Sequence, residues 1–144
     1  MSEKPIKWGY ILSGKYRPDL PTQERVMKFS GIDMSEEGTC WTDILPDRAT
    51  RPRSALKNRE ALSSIVRKGD TIMVMNLMCL GNSPKDIEWF TNTVHKKGAS
   101  FTFIDTAEVL EPGTNYTQLI EQFAKERNSL QASASIVKAK RKSI

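Results

Sequence analysis

The apolar run at residues 71–77, Thr-Ile-Met-Val-Met-Asn-Leu, is the feature that most constrains the fold. A strand that is apolar on both of its faces is typical of the interior of a parallel sheet, which helices cover on both sides. Similar short apolar runs occupy residues 6–12, 39–45 and 100–105, and helical patterns separate them. This β-α-β-α-β-α-β order predicts an α/β fold with a largely parallel, four- to five-stranded sheet and helices on both faces.

Two of the predicted helices begin with clear start signals. Asp19 comes two residues before Pro21, and Ser83 comes directly before Pro84 and three residues before Asp86. A short polar side chain at a helix start accepts a hydrogen bond from an amide of the first turn. Proline is tolerated in that turn because its amides have no intrahelical acceptor. The sequence therefore predicts helices that begin near residues 20 and 84.

The segment after residues 108–113, which are predicted to form a linker, contains no glycine or proline. It predicts one helix of about 28 residues, roughly 42 Å long, which exceeds the width of the domain beneath it. We therefore divide the chain into an α/β domain at residues 1–111 and a long C-terminal helix at residues 112–144. Apolar residues recur at helical spacing along this helix and are predicted to form an oligomer interface. They are Leu119, Phe123, Leu130, Ala134 and Val137.

The net charge of the chain, +5, is concentrated in this helix. From residue 114 onward there are six basic residues and two acidic ones, so this segment holds four of the five net positive charges. A basic end predicts a polyanionic partner, most often a nucleic acid. A basic end that only improves solubility is the alternative, and charge alone leaves both open. The predicted contacts to DNA phosphates are Lys125, Arg127, Lys138, Lys140, Arg141 and Lys142.

Composition excludes several functional classes. No apolar run approaches the roughly 20 residues that span a bilayer, and no secretory signal is predicted at the start of the chain. Cys40 and Cys79 lie far apart in apolar surroundings and predict buried thiols in a reducing compartment. His95, the single histidine, lies at a predicted helix C-terminus, where the helix dipole favours a cation. We expect no metal, no cofactor, no membrane contact and a cytoplasmic location.

Ser13 is the one candidate nucleophile at a sheet edge. It ends the first predicted strand, and open α/β sheets place active sites at the carboxyl ends of their strands. A nucleophilic serine needs a base or clustered positive charge, which Arg48, Arg51 and Arg53 in a polar loop could supply. From these residues alone, the favoured interpretation is that Ser13 is a polar residue without a catalytic role.

Several local strings occur in a characteristic order along the chain. The most distinctive is Gly69-Asp70 with an apolar strand behind it, followed by Leu80-Gly81-Asn82-Ser83 and a helix. The others are Gly9-Tyr10, Gln23, Gly31, Thr42-Asp43, Arg51-Pro52, Phe103-Ile104-Asp105 and Glu126-Arg127. Together these strings resemble one family, the serine recombinases, which include resolvases and invertases. The resemblance covers about residues 7–142 and implies a resolvase-like α/β fold whose long C-terminal helix forms dimers.

The residues with which that family cleaves DNA are not matched. The positions of its nucleophilic serine, its aspartate and three of its arginines fall on residues without that chemistry: Leu12, Gly14, Met78, Cys79 and Asn82. Of the family's arginines only Arg51, or alternatively Arg53, has a counterpart. Losing even one group that stabilises a transition state commonly costs several kcal/mol of barrier. The resemblance therefore implies a chain that is not an enzyme.

Three hypotheses follow. The first is a catalytically inactive, serine-recombinase-like protein that oligomerises through its long helix and binds the DNA backbone, in transcription regulation or in a recombination complex. It would be nucleoid-associated in a prokaryotic cell, or encoded by a phage or mobile element, without the second DNA-binding domain that is usual in the family. The second is a small divergent recombinase or nuclease that uses Ser13 with Arg51 and Arg53. The third is a module that binds another protein and no DNA.

Overall fold

The computed structural model describes residues 4–35, 38–45, 56–113 and 116–142, and for Tyr116 and residues 134–142 the backbone alone. The strands are β1 (Lys7–Ser13), β2 (Cys40–Ile44), β3 (Thr71–Val74), β4 (Ser100–Phe103) and β5 (Glu108–Leu110). The helices are α1 (Leu20–Phe29), α2 (Lys57–Ile65), α3 (Pro84–Lys96) and α4 (Tyr116–Lys142). A short 3-10 helix, Leu77–Leu80, lies between β3 and α3.

The strands form one sheet in the order β2-β1-β3-β4-β5. The first four are parallel, and β5 pairs with β4 in the antiparallel direction. The prediction of an α/β fold with a largely parallel sheet is therefore confirmed. The prediction of a linker at residues 108–113 is wrong at its start, because Leu110 pairs with Phe101 at the edge of the sheet and is buried there.

Three helices cover one face of the sheet. Phe90 of α3 packs edge-on against Tyr10 and Phe101, with ring centroids 5.8 and 5.1 Å apart. Such aromatic pairs add about 0.5–1.5 kcal/mol each beyond the area they bury. Apolar side chains of α2, α3 and the first half of α4 complete this core.

The opposite face is covered by α1. Its Met27 packs with Ile11 of β1 and with Ile32, which follows the helix. Gly9 of β1 allows this close approach, because a Cβ there would lie 2.9 Å from Ile32 Cγ2. Helices therefore lie on both faces of the sheet, as the alternating pattern predicted.

Helix starts agree with the sequence signals. Asp19 accepts a hydrogen bond from the amide of Thr22 at 2.8 Å, and Ser83 accepts one from the amide of Asp86 at 3.2 Å. Each cap satisfies a donor that the first turn leaves without an intrahelical acceptor, which contributes about 1 kcal/mol. Both starts were predicted within one residue because capping depends on neighbours in the chain.

A buried ion pair between Arg59 and Asp86 joins α2 to the first turn of α3. The Arg59 guanidinium donates to both carboxylate oxygens, at 2.7 and 2.5 Å, and to the Leu80 carbonyl at 2.9 Å. The Arg59 amide donates to Asp43 Oδ2 at 2.8 Å. At Gly81 a Cβ would collide with this carboxylate and guanidinium. The pair thus anchors the turn between β3 and α3.

The two halves of α4 differ. This helix of 27 residues is about 40 Å long. Leu119 and Phe123 are 7% and 0% exposed, so these two predicted interface residues instead belong to the core of their own chain. Leu130 is 38% exposed, and the side chains of Ala134 and Val137 lie outside the described residues. Within the described ranges, every helix is too short or too polar to cross a lipid bilayer.

Candidate functional site

An open cleft of about 790 Å³ lies where the carboxyl ends of β1, β3 and β4 meet the side of α4. Its volume is within the roughly 300–1,000 Å³ of ligand sites in proteins. Its walls come from the turn after β1, the segments after β3 and β4, and one side of α4. They include Tyr16, Arg17, Asn76, Leu77, Met78, Phe103, Asp105, Glu108, Leu119, Gln122 and Glu126.

The topology explains why a cleft forms here. Adjacent strands β1 and β3 lead to helices on opposite faces, because α1 packs on one side of the sheet and α3 on the other. Where the chain departs in opposite directions from neighbouring parallel strands, a crevice opens at their carboxyl ends. Ligands of open α/β sheets bind at such crevices.

Arg17 forms one wall of the cleft and is bound to main-chain carbonyls. Its Nε donates to Met78 O at 2.9 Å, its Nη2 to Gly81 O at 2.5 Å and its Nη1 to Lys15 O at 2.7 Å. Burial lowers the pKa of this guanidinium, although arginine keeps its charge in proteins. Arg17 therefore clamps the turn after β1 to the 3-10 helix, a role that no sequence motif indicated.

Beside the cleft lies a packed region that we call the corner, made of Leu12, Gln23, Met78 and Cys79. Gln23 Nε2 donates to Leu12 O at 2.9 Å and to Pro18 O at 2.8 Å. The Cys79 thiol donates to Gln23 Oε1 at 3.4 Å. Burial raises the pKa of Cys79 to about 11, so this thiol is protonated at neutral pH. The corner thus holds neutral, hydrogen-bonded groups.

The positions expected to have lost catalytic residues lie in or next to the corner. Leu12, Met78 and Cys79 are 0%, 3% and 0% exposed. Gly14 has φ 147°, and a Cβ there would lie 2.8 Å from a side chain that follows β2, so a serine would be strained. Asn82 is half-buried, and its amide donates to the buried carboxylate of the ion pair. These positions serve packing and turn geometry.

The loop arginines predicted to act with Ser13 are not among the residues that the structure describes. Ser13 ends β1 on the α1 side of the sheet, and it does not line the cleft. Arg48, Arg51 and Arg53 lie outside the described residues. The predicted grouping of Ser13 with Arg51 and Arg53 therefore stays a prediction.

His95 ties α3 to the edge of the sheet. Its Nε2 lies 3.0 Å from Leu110 O, and the ring packs edge-on against Phe101 at 5.6 Å. Burial lowers the pKa of His95, which favours the neutral ring. Desolvation is the largest cause of this shift, and the Leu110 carbonyl and the Glu111 carboxylate oppose it; a cation favoured by the helix dipole stays a prediction. Among the described residues there is no group of three or more potential metal ligands.

The cleft carries more carboxylates than free cations. Asp105 and Glu108 are exposed on its rim and Glu126 is half-buried on α4, whereas the guanidinium of Arg17 is occupied by carbonyls. Asn76 Oδ1 is buried and accepts no hydrogen bond from the described residues. Sequence reasoning missed the cleft because its walls come from four separate segments.

The predicted phosphate contacts on α4 fall into two groups. Lys125 is exposed, while Arg127 is half-buried, with its guanidinium 5.6 Å from the ring centroid of Phe123. The side chains of residues 134–142, which include the other four basic residues, lie outside the described structure. The structure thus places Lys125 where DNA could reach it and Arg127 against the domain.

No protein-family model matches the chain, and no curated protein matches it. The resemblance to serine recombinases therefore depends on the motifs in the sequence and remains a prediction.

Proposed function

We propose that this chain is a non-catalytic, serine-recombinase-like protein that assembles through α4 and binds the DNA backbone with the basic end of that helix. One observation carries the proposal. At the sheet edge where such a fold would hold its reactive groups, Leu12, Met78 and Cys79 form a buried, uncharged corner. A site that stabilises a phosphate transition state needs clustered positive charge, and this corner has no room for it.

The energetics of burial support the absence of catalysis. A guanidinium at the position of Leu12 would be taken out of water inside the core, and burying an unpaired charge is costly. Arg17 and Arg59 approach the corner, but the guanidinium of Arg17 binds three carbonyls and that of Arg59 binds Leu80 O and the Asp86 carboxylate. A scissile phosphate would therefore meet no free cation in the corner.

The shape and charge of α4 support the binding role. Its first half is embedded in the domain, whereas Leu130 is 38% exposed further along. The helix continues to Lys142, and its end carries four basic residues within five positions. The exposed apolar side chain can contact a second copy, and the dense positive segment after it can bind the phosphates of a polyanion. A regulatory or architectural part in transcription or recombination follows from such an activity.

The test measures mass in solution and duplex DNA binding at two salt concentrations. We expect an oligomer whose DNA affinity falls steeply with salt. Neutralising the basic end lowers the slope of log K against log salt by about 0.9 for each DNA phosphate that the helix no longer neutralises; the substitutions are Lys138→Gln, Lys140→Gln, Arg141→Gln and Lys142→Gln. The matched control removes four exposed lysines of the domain; these are Lys28, Lys57, Lys85 and Lys96. A monomer without salt-dependent binding would contradict the proposal.

The enzyme alternative has its own test. Ser13 does lie at the carboxyl end of β1, the edge at which open α/β sheets react with ligands. A nicked suicide substrate would trap a covalent protein–DNA adduct if this serine attacks phosphate. We expect none from the wild-type chain. An adduct that disappears in Ser13→Ala would overturn the proposal of a non-catalytic protein.

A further inference from the structure

The cleft has an acidic rim above an apolar floor. Asp105, Glu108 and Glu126 line it, and Leu77 and Phe103 contribute apolar surface. The cleft also contains one cation, Arg17, which keeps its charge while it binds three carbonyls, so three carboxylates face one positive charge. A basic segment with apolar side chains complements such a surface, because the carboxylates attract the charges and the floor covers the apolar groups.

Two further observations mark this cleft as a binding surface. Asn76, whose buried Oδ1 accepts no hydrogen bond from the described residues, forms part of its wall. Tyr16 and Ala107, at its margins, have φ values of 68° and 60°. Non-glycine residues in this left-handed conformation are strained, and such residues concentrate at ligand-binding sites.

The chain itself contains a segment of the required chemistry. The end of α4 reads Ile136-Val137-Lys138-Ala139-Lys140-Arg141-Lys142, four basic residues with apolar ones among them. The same helix cannot fill its own cleft, because residues 118–130 of α4 form a wall of that cleft and the helix continues away. Lys138 lies sixteen residues beyond Gln122, about 24 Å along the axis. The segment must therefore come from a second copy.

We infer that two copies pair their α4 helices in antiparallel orientation about Leu130, so that the basic end of each copy occupies the acidic cleft of the other. This inference rests on the proposed function, from which it takes assembly through α4. In this register Gln122 of one copy faces Lys138 of its partner, and the two Leu130 side chains meet at the centre. The interface is isologous, so both clefts are filled.

Charge decides the orientation of the pair. A parallel pair would place two basic ends side by side, with four positive charges on each. Like charges at such separations are destabilising, whereas the antiparallel pair sets each basic end against three carboxylates. Because one basic end cannot contact the cleft and DNA phosphates together, DNA binding must withdraw it from the cleft.

Disulfide trapping tests the register. A chain carrying Gln122→Cys and Lys138→Cys should form a covalent dimer under mild oxidation. Within one helix these two positions are too far apart for a disulfide, which needs Cα atoms no more than about 7 Å apart. The controls carry either cysteine alone, since a parallel pair would crosslink like positions. Efficient crosslinking of the single variants, or none in the double variant, would overturn the inference.

Charge neutralisation tests the cleft. Asp105→Asn, Glu108→Gln and Glu126→Gln together should weaken dimerisation about tenfold, because the isologous interface loses each of three ion pairs twice. The matched control neutralises three exposed acids of the α/β domain, Glu24→Gln, Glu60→Gln and Glu88→Gln, and should leave the dimer unchanged. Equal weakening in both variants would show that the cleft is not the docking surface.

Duplex DNA separates this inference from the proposed function. Adding DNA should lower the disulfide yield of the double-cysteine variant, since phosphates compete for the basic end. A high yield that DNA does not change would support docking and contradict DNA binding. An oligomer that binds DNA but forms no disulfide would leave the proposed function standing and contradict docking.

Discussion

The corner and the cleft meet at Met78 on the same sheet edge, yet they differ in burial and in charge. In the corner, Leu12, Gln23 and Cys79 are fully buried, and the polar groups of Gln23 bind carbonyls and a thiol. In the cleft, Asp105 and Glu108 are exposed to solvent. Side chains packed as tightly as those of the corner stabilise the fold and leave no space for a substrate. The cleft is the part of this edge that remains available for binding.

The largest effect is expected from placing a charge in the corner. Leu12→Arg should lower the free energy of unfolding by about 3 kcal/mol or more, because a guanidinium would be buried without a partner. Urea denaturation measures the change. Leu12→Met, which nearly conserves volume, should cost less than about 1.5 kcal/mol. An arginine tolerated at this position would show that the corner opens.

Thiol labelling compares the two regions kinetically. With its pKa raised to about 11, Cys79 should react with iodoacetamide at pH 8 about two orders of magnitude more slowly than an ordinary exposed thiol. The rate should rise as the pH approaches 11, because the thiolate population increases. At protein concentrations low enough to exclude association, a cysteine introduced in the cleft wall by Gln118→Cys should react at the ordinary rate. Rapid labelling of Cys79 in the folded chain would contradict a sealed corner.

Removing the donor of Gln23 should have a smaller effect. Gln23→Met leaves Leu12 O and Pro18 O without their side-chain donor, and we expect a loss of about 2 kcal/mol in unfolding free energy. Gln118→Met, the same change on the exposed wall of the cleft, should stay within about 0.5 kcal/mol. Equal losses in the two variants would remove the distinction between corner and cleft.

The smallest effect is expected in the cleft itself. Asp105→Asn and Glu108→Gln, measured at protein concentrations low enough to exclude association, should change the unfolding free energy by no more than about 0.5 kcal/mol. Their carboxylates are exposed and therefore contribute little to folding. A loss above about 1 kcal/mol would mean that these acids hold the cleft in shape.

Local patterns predicted the parts of the fold that depend on neighbours in the chain. Both caps, the four parallel strands and the long α4 followed from residue spacing. The strand at Glu108–Leu110 was not predicted from spacing, because three residues are too few to show a periodicity. This strand forms only by pairing with β4 in the folded chain. Arg17 was missed for the same reason, since its acceptor Gly81 O lies sixty-four residues further along.

The candidate site was predictable only in part. The residues Leu12, Met78 and Cys79 were singled out from the sequence as lacking catalytic chemistry, but nothing there indicated that they pack into one buried corner. The predicted interface residues Leu119 and Phe123 are core instead, because helical periodicity identifies an apolar stripe without identifying what covers it. The acidic cleft was missed because its carboxylates come from the segment after β4 and from α4.

From the sequence alone follow an alternating α/β chain, a long final helix, a basic end on that helix and the absence of a matching set of recombinase catalytic residues. These properties depend on composition and short-range spacing. Only the tertiary structure divides the carboxyl edge of the sheet into a sealed corner and an open acidic cleft. That division depends on how segments distant in the sequence pack together. Leu12 is buried, and Arg17 binds the Met78 carbonyl, only after those segments have come into contact.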